Sequence, residues 1–159
     1  MILRAFQESD WPRAAKLLTS PQVNKSYMLP DFESEEKARP LFDRLMKMSQ
    51  DENRFVRAME ENGEFVGFCN DVEVVDKSVE VGYAMSPDRW GRGYATAALT
   101  LAIAALFDRG FEQVIAGAFV ENPASLRVME KAGMTPIDKV DDIEYRGCTH
   151  KCVYRVINK

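Results

Sequence analysis

The sequence has little of what marks most specialised chains. It holds one histidine, His150, and three cysteines, Cys69, Cys148 and Cys152. No standard four-ligand zinc spacing can be built from them. Cys148, His150 and Cys152 alternate, so on a strand they share one face. The expectation is a strand with two unreactive thiols and no metal. An odd cysteine count without a secretory leader points to free thiols. Basic excess is also missing. The chain has 21 Lys and Arg against 25 Asp and Glu, a net charge of −4. General nucleic-acid binders need a basic face, so that class is set aside. The longest apolar run, Ala97 to Phe107, is interrupted by Thr100. It falls far short of the ~20 residues that span a bilayer. The first ten residues carry no leader pattern. The expectation is a cytoplasmic protein with neither a membrane nor a nucleic-acid partner. Repeats, linkers and low-complexity tracts are absent too, so residues 1–159 read as a single domain. A chain of this size buries roughly 70% of its unfolded surface.

What is present is an alternation of strand and helix patterns. Ile2 to Ala5 reads as a first strand. Ser9 and Asp10 offer caps for a helix from about Pro12 to Leu18. Gln22 to Phe32 has no clear period and reads as a loop or broken helix. Ser34 caps a helix reaching Gln50, in which Pro40 should produce a kink or a late start. Phe55 to Met59 and Phe65 to Val75 flank Asn62-Gly63, a strong hairpin signal. Asp76-Lys77 makes a second turn into a strand of alternating Val79, Val81 and Tyr83. A long helix follows, with Ala95, Ala98, Leu99, Ala102, Ile103 and Leu106 on one face and Gly110 as its stop. Val114 to Phe119 is a buried strand. Asn122-Pro123 starts a helix that Gly133 closes. Two last strands run from about Met134 to Val140 and from His150 to Ile157. The pattern is that of an α/β or α+β domain, first a meander and then strands joined through helices.

The informative segment runs from Glu80 through Tyr83, Ala84, Met85 and Trp90-Gly91-Arg92-Gly93-Tyr94-Ala95-Thr96. It is a strand, a glycine-bearing loop and a helix start. A helix N-terminus presents unpaired N–H groups and about half a positive charge. Gly91 and Gly93 let an anion approach the backbone, Arg92 adds a full charge and Thr96 a hydroxyl. The spacing is neither a Walker A loop nor a Rossmann fingerprint.

Arg89-Trp-Gly-Arg-Gly-Tyr-Ala-Thr96 resembles the pyrophosphate loop of the GNAT superfamily of N-acetyltransferases. Gly91, Arg92, Gly93 and Ala95 match its pattern, and Trp90 replaces the usual first Gln or Arg. A second segment, Glu121 to Met134, resembles the Asn-x-x-Ser stretch of the branch that acetylates ribosomal-protein N-termini (RimJ/RimL-like). The resemblance covers nearly the whole chain. It implies a GNAT fold: a mixed, mostly antiparallel sheet of about seven strands, helices on both faces, and splayed central strands. It also implies acetyl-coenzyme A as co-substrate, without a metal. Tyr83, Ala84 and Met85 would pair with the pantetheine arm. Arg92, Gly93, Tyr94, Ala95 and Thr96 would hold the pyrophosphate. Asn122 would hydrogen-bond the pantetheine, and Ser125 would sit near the sulfur.

Acetyl transfer to an amine needs a base, oxyanion donors and help for the departing thiolate. Glu80 is the candidate base, the Met85 N–H the oxyanion donor and Ser125 the acid. Many superfamily members carry a tyrosine seven residues after the asparagine, where this chain has Met129. An α-amine needs ~3 kcal/mol less to deprotonate at neutral pH than lysine, so a single base suits an acceptor of that acidity. The acceptor is expected to be a protein N-terminus or a small cationic amine. Two acidic clusters, Asp31, Glu33, Glu35, Glu36 and Asp141, Asp142, Glu144, would draw a cation if they rimmed the mouth. The alternative reading is an inactive acyl-coenzyme A sensor module. A monomer and a homodimer are both open.

Overall fold

A computed structural model describes residues 1–159. Seven strands form one sheet: β1 (Ile2–Arg4), β2 (Val56–Glu61), β3 (Glu64–Val75), β4 (Ser78–Met85), β5 (Gln113–Phe119), β6 (Thr135–Tyr145) and β7 (Cys148–Asn158). Their order is β1-β2-β3-β4-β5-β7-β6, and only the β4–β5 pair is parallel. The helices are α1 (Trp11–Leu18), α2 (Pro21–Asn24), α3 (Glu35–Ser49), α4 (Tyr94–Asp108) and α5 (Pro123–Lys131). None is long and apolar enough to cross a membrane.

The strand alternation divides the core between two faces. Val79, Val81 and Met85 of β4 pack with Leu99, Ala102 and Leu106 of α4 and Met129 of α5. Ala84 and Phe68 point the other way, into a cluster with Leu17 of α1 and Phe42 of α3. Helices therefore cover both faces, as the mixed α/β pattern implied.

The meander turns form as their residues dictate. Asn62 and Gly63 have φ of 53° and 80°, the pair a type I′ turn needs. Between β3 and β4 the contact is closer than a side chain allows. A Cβ on Gly67 would lie 2.3 Å from the Ala84 carbonyl oxygen, a backbone atom with little room to move. Gly67→Ala is therefore expected to lower the unfolding free energy by about 1–3 kcal/mol in urea titrations, the usual range for overpacking. An unchanged midpoint would disprove that contact.

Three local expectations are corrected. Asp10 does not cap α1, because it is drawn into a two-pronged pair with Arg4 (2.7 and 2.8 Å) and accepts the Gln7 N–H. α3 starts at Glu35, under a Ser34 cap on the Lys37 N–H, so Pro40 lies inside the helix and does not delay its start. Pro40 and Glu36, whose carbonyl loses its helical partner, are both exposed, which leaves that group on the solvent side of the helix. The last hairpin is longer than its apolar pattern suggested. Arg146 and Gly147 take φ of 52° and 74°, which lets β6 and β7 extend to that turn. Its tip reaches across the molecule. The Tyr145 hydroxyl donates to the Asn24 carbonyl (2.7 Å) and accepts the Leu29 N–H (3.4 Å), while Arg146 pairs with Asp31 (2.5 Å).

Candidate functional site

The sheet opens at its centre. β4 pairs with β5 only through Ser78, Val79 and Glu80, set against Gln113, Val114 and Ile115. Past Glu80 the two strands part, β5 continuing with β7 to Phe119 and β4 with β3 to Met85. The Ser86 N–H donates to the Val66 carbonyl of β3 (2.8 Å). By the two-residue alternation of a strand, the polar groups of Ala84 also face β3, and those of Val81, Tyr83 and Met85 face the gap. Ala84 thus departs from the grouping that the sequence suggested. The Met85 carbonyl is held by the Trp90 indole Nε1–H at 2.8 Å, which fixes the strand end against the loop.

The loop delivers its donors to the mouth of that gap. Gly91 and Gly93 sit at φ of 74° and 79°, where a Cβ would meet no atom within 4 Å. Backbone torsion, not crowding, selects glycine there. The first helical bond of α4 runs from Ala97 N–H to the Gly93 carbonyl. The N–H groups of Gly91, Arg92, Gly93, Tyr94, Ala95 and Thr96 have no acceptor within the protein. They form a cradle of free donors at a helix N-terminus, the geometry that binds phosphate.

Across the gap lies α5. Asn122 caps it, its Oδ1 accepting the Ser125 N–H at 3.2 Å, which leaves the Asn122 amide N–H2 unengaged. The Tyr83 hydroxyl lies 2.7 Å from Ser125 Oγ and 3.2 Å from the Ser125 carbonyl oxygen. With the phenol donating to the carbonyl, the serine hydroxyl donates to the phenol. Burial pushes the Tyr83 phenol up to about 12. Sequence reasoning assigned Tyr83 through its backbone and missed this side-chain bond, which becomes visible only when β4 is set against α5.

One continuous cleft of about 690 Å³ joins the gap, where Gly91, Ala95, Asn122 and Ser125 line it, to the α3 side, where Gly82, Glu80 and Tyr27 do. That is the size of a small-ligand site. Burial raises the Glu80 carboxyl above its ordinary range, and Lys139, 3.7 Å away, pulls it partly back. Glu80 lies five residues before Met85, about 16 Å along the strand. Tyr27 donates to Asn70 Oδ1 at 2.5 Å on the cleft wall, a pair the sequence did not reveal. None of the seven acids in the two sequence clusters lines the cleft. Asp31 is tied to Arg146, and Asp141 accepts the Tyr154 hydroxyl (2.8 Å). Cys152 is buried in the cleft wall, while Cys148 is exposed. His150 stacks on Phe119 with centroids 4.6 Å apart. No three His, Cys, Asp or Glu side chains gather as a metal site.

Comparison with known proteins gives this geometry its context. Residues 1–135 match the model of the acetyltransferase (GNAT) domain. An uncharacterised N-acetyltransferase, p20 of Bacillus licheniformis, is 25% identical over 138 residues, 81% of this chain and 75% of that protein. Spermidine N-acetyltransferase from Vibrio cholerae, solved with coenzyme A and spermine, superposes with a TM-score of 0.81 at 17% identity, covering 99% of this chain and 94% of that one. RimL, a ribosomal L7/L12 α-N-protein acetyltransferase solved with coenzyme A, gives 0.82 at 22% identity, covering 98% and 92%. The seven-stranded fold is theirs, and with its family model spanning residues 1–135 the chain belongs to the GNAT acetyltransferase family.

Proposed function

We propose that the chain transfers the acetyl group of acetyl-coenzyme A to an amine by direct attack in a ternary complex. The observation that carries this reading is the run of six free N–H groups from Gly91 to Thr96, standing where β4 and β5 part. A diphosphate accepts such donors, and Arg92 adds its charge. From there the pantetheine arm runs along the gap, pairing with the edge groups of Tyr83 and Met85 as an added strand does. Asn122, its oxygen engaged by the helix cap, still has an amide N–H2 to donate to the arm. The spermidine and L7/L12 enzymes, both solved with coenzyme A, support the same donor here.

Chemistry follows from the groups that face the gap. The Met85 N–H points to where the thioester oxygen gains charge, and a fixed donor there lowers the barrier. Glu80 is too far along the strand to touch an amine at Met85, so it takes the proton through water. Ser125 and Tyr83 stand together at the sulfur end. Neither is a strong acid, so they stabilise the leaving thiolate by hydrogen bonding. The two sequence matches and the RimL likeness favour an α-amine acceptor.

The test is direct. Acetyl-coenzyme A at ~100 times its Kd is expected to add about 2.7 kcal/mol of stability, read as a rise in Tm. Thiol release with a panel of peptide and small amines, with mass spectrometry of the products, then reads out transfer. No Tm shift and no acetylated product would sink the reading.

A further inference from the structure

In the cleft the acids are paired and one base is not. Two carboxylates line it, Asp71 and Glu80. Asp71 holds Arg54 through both oxygens (2.8 and 3.0 Å). Glu80 faces Lys139 at 3.7 Å. Arg44 and Arg89 also line the cleft. Arg89 is tied to Glu64 and Asp88. Arg44, on the α3 wall between the cleft residues Leu41 and Met48, has no ion-pair partner. Its neighbour Arg39, on another side of the helix, spans Glu8 and Asp43.

A polyamine brings two or more ammonium groups. Each one that leaves water needs a carboxylate to offset its desolvation. The cleft has one acid positioned as a base and no unpaired acid beyond it. It does have an open guanidinium, whose planar fork matches a carboxylate. We propose that the acceptor is an amine that also bears a carboxylate, its nitrogen toward Glu80 and its acid group toward Arg44, and that polyamines are turned away. The inference rests on the acetyl-transfer reading and adds the acceptor class. In the step, the amine nitrogen bonds the acetyl carbon and the C–S bond breaks. Of the two protons the ammonium loses, one leaves through water and Glu80, and the other ends on the coenzyme sulfur. A free amino acid and the N-terminus of an acidic peptide share this chemistry.

The experiment measures kcat/KM by thiol release with three kinds of acceptor. These are ω-amino carboxylates of graded length, diamines of the same lengths, and alanine-led tripeptides, with amidated C-termini, continued by two glutamates or two lysines. The carboxylate-bearing member of each pair is expected to win by about tenfold or more. The faster arm identifies the source, free amino acid or peptide. Arg44→Glu should invert that ratio, with the acetyl-coenzyme A Kd as the control for folding. Diamines or lysine peptides that match or beat their acidic counterparts would overturn the proposal, as would a ratio that Arg44→Glu leaves unchanged. So would a protein that binds acetyl-coenzyme A yet neither acetylates nor saturably binds any amino carboxylate or acidic peptide. Failure to bind acetyl-coenzyme A at all would instead remove the proposed function.

Discussion

Glu80→Gln is expected to lower kcat for acetyl transfer by about 10²–10⁴-fold, the range for loss of a positioned general base. The coenzyme Kd should hold, because Glu80 shares the face of β4 that Gly82 and Ala84 turn toward Tyr27 and the α1–α3 cluster, away from the 91–96 cradle. The pH profile gives the sharper reading. Burial raises the Glu80 carboxyl, while Lys139 on β6 opposes that shift. Glu73 on β3 and Asp141 on β6 push it up further, and Tyr154 and Cys152 of β7 also feel its charge. A base works in its ionised form, so activity should fall as pH drops through a value above the ordinary carboxylate range. In the glutamine variant that acidic limb should vanish. Stability carries the opposite sign. A raised folded-state pKa means the folded protein holds the proton more tightly than the unfolded chain, so stability falls as pH rises through that window. The variant should lose this slope. Unchanged kcat with an unchanged limb would remove Glu80 from the mechanism.

Gly93→Val is expected to abolish tight coenzyme binding while the protein stays folded. A β-branched residue at φ 79° is strained by roughly 1–2 kcal/mol, and relieving the strain turns the adjoining N–H groups away. Losing two charge-assisted hydrogen bonds, at about 1.5–3 kcal/mol each, corresponds to at least a hundredfold rise in Kd at 1.4 kcal/mol per tenfold. Calorimetric titration of coenzyme A into the variant measures this. A Cβ at this position touches nothing in the free protein, so a collapse of the fold is not the expected outcome. A Kd within a few-fold of the parent would mean that the cradle does not hold the diphosphate.

The backbone geometry of the proposed coenzyme site was legible in the sequence because its determinants are local. Two glycines, a helix start and an Asn-Pro cap lie within a few residues of the backbone groups they arrange. The parting of β4 from β5 was implied by the resemblance and takes its form from three paired residues on each strand. Long-range partners were not legible. Tyr83 with Ser125, Tyr27 with Asn70 and Arg54 with Asp71 each join segments that only the sheet order brings together. The place of the acidic clusters was open for the same reason. Their spacing along the chain says nothing about which side of the molecule they face, and the structure sets them outside the cleft. Arg146-Gly147 was missed because arginine is not a usual first residue of a type I′ turn.

The tip of the final hairpin, anchored by Tyr145 and Arg146 to the segment around Tyr27, lies beyond residue 135, where the family match ends. The free N–H cradle at 91–96 and the hairpin that holds the Tyr27 segment in place are therefore separate stretches of polypeptide. Replacing only the 145–147 tip is expected to alter the choice of nucleophile while the coenzyme Kd holds, because β7 behind it backs β5 and stays in place.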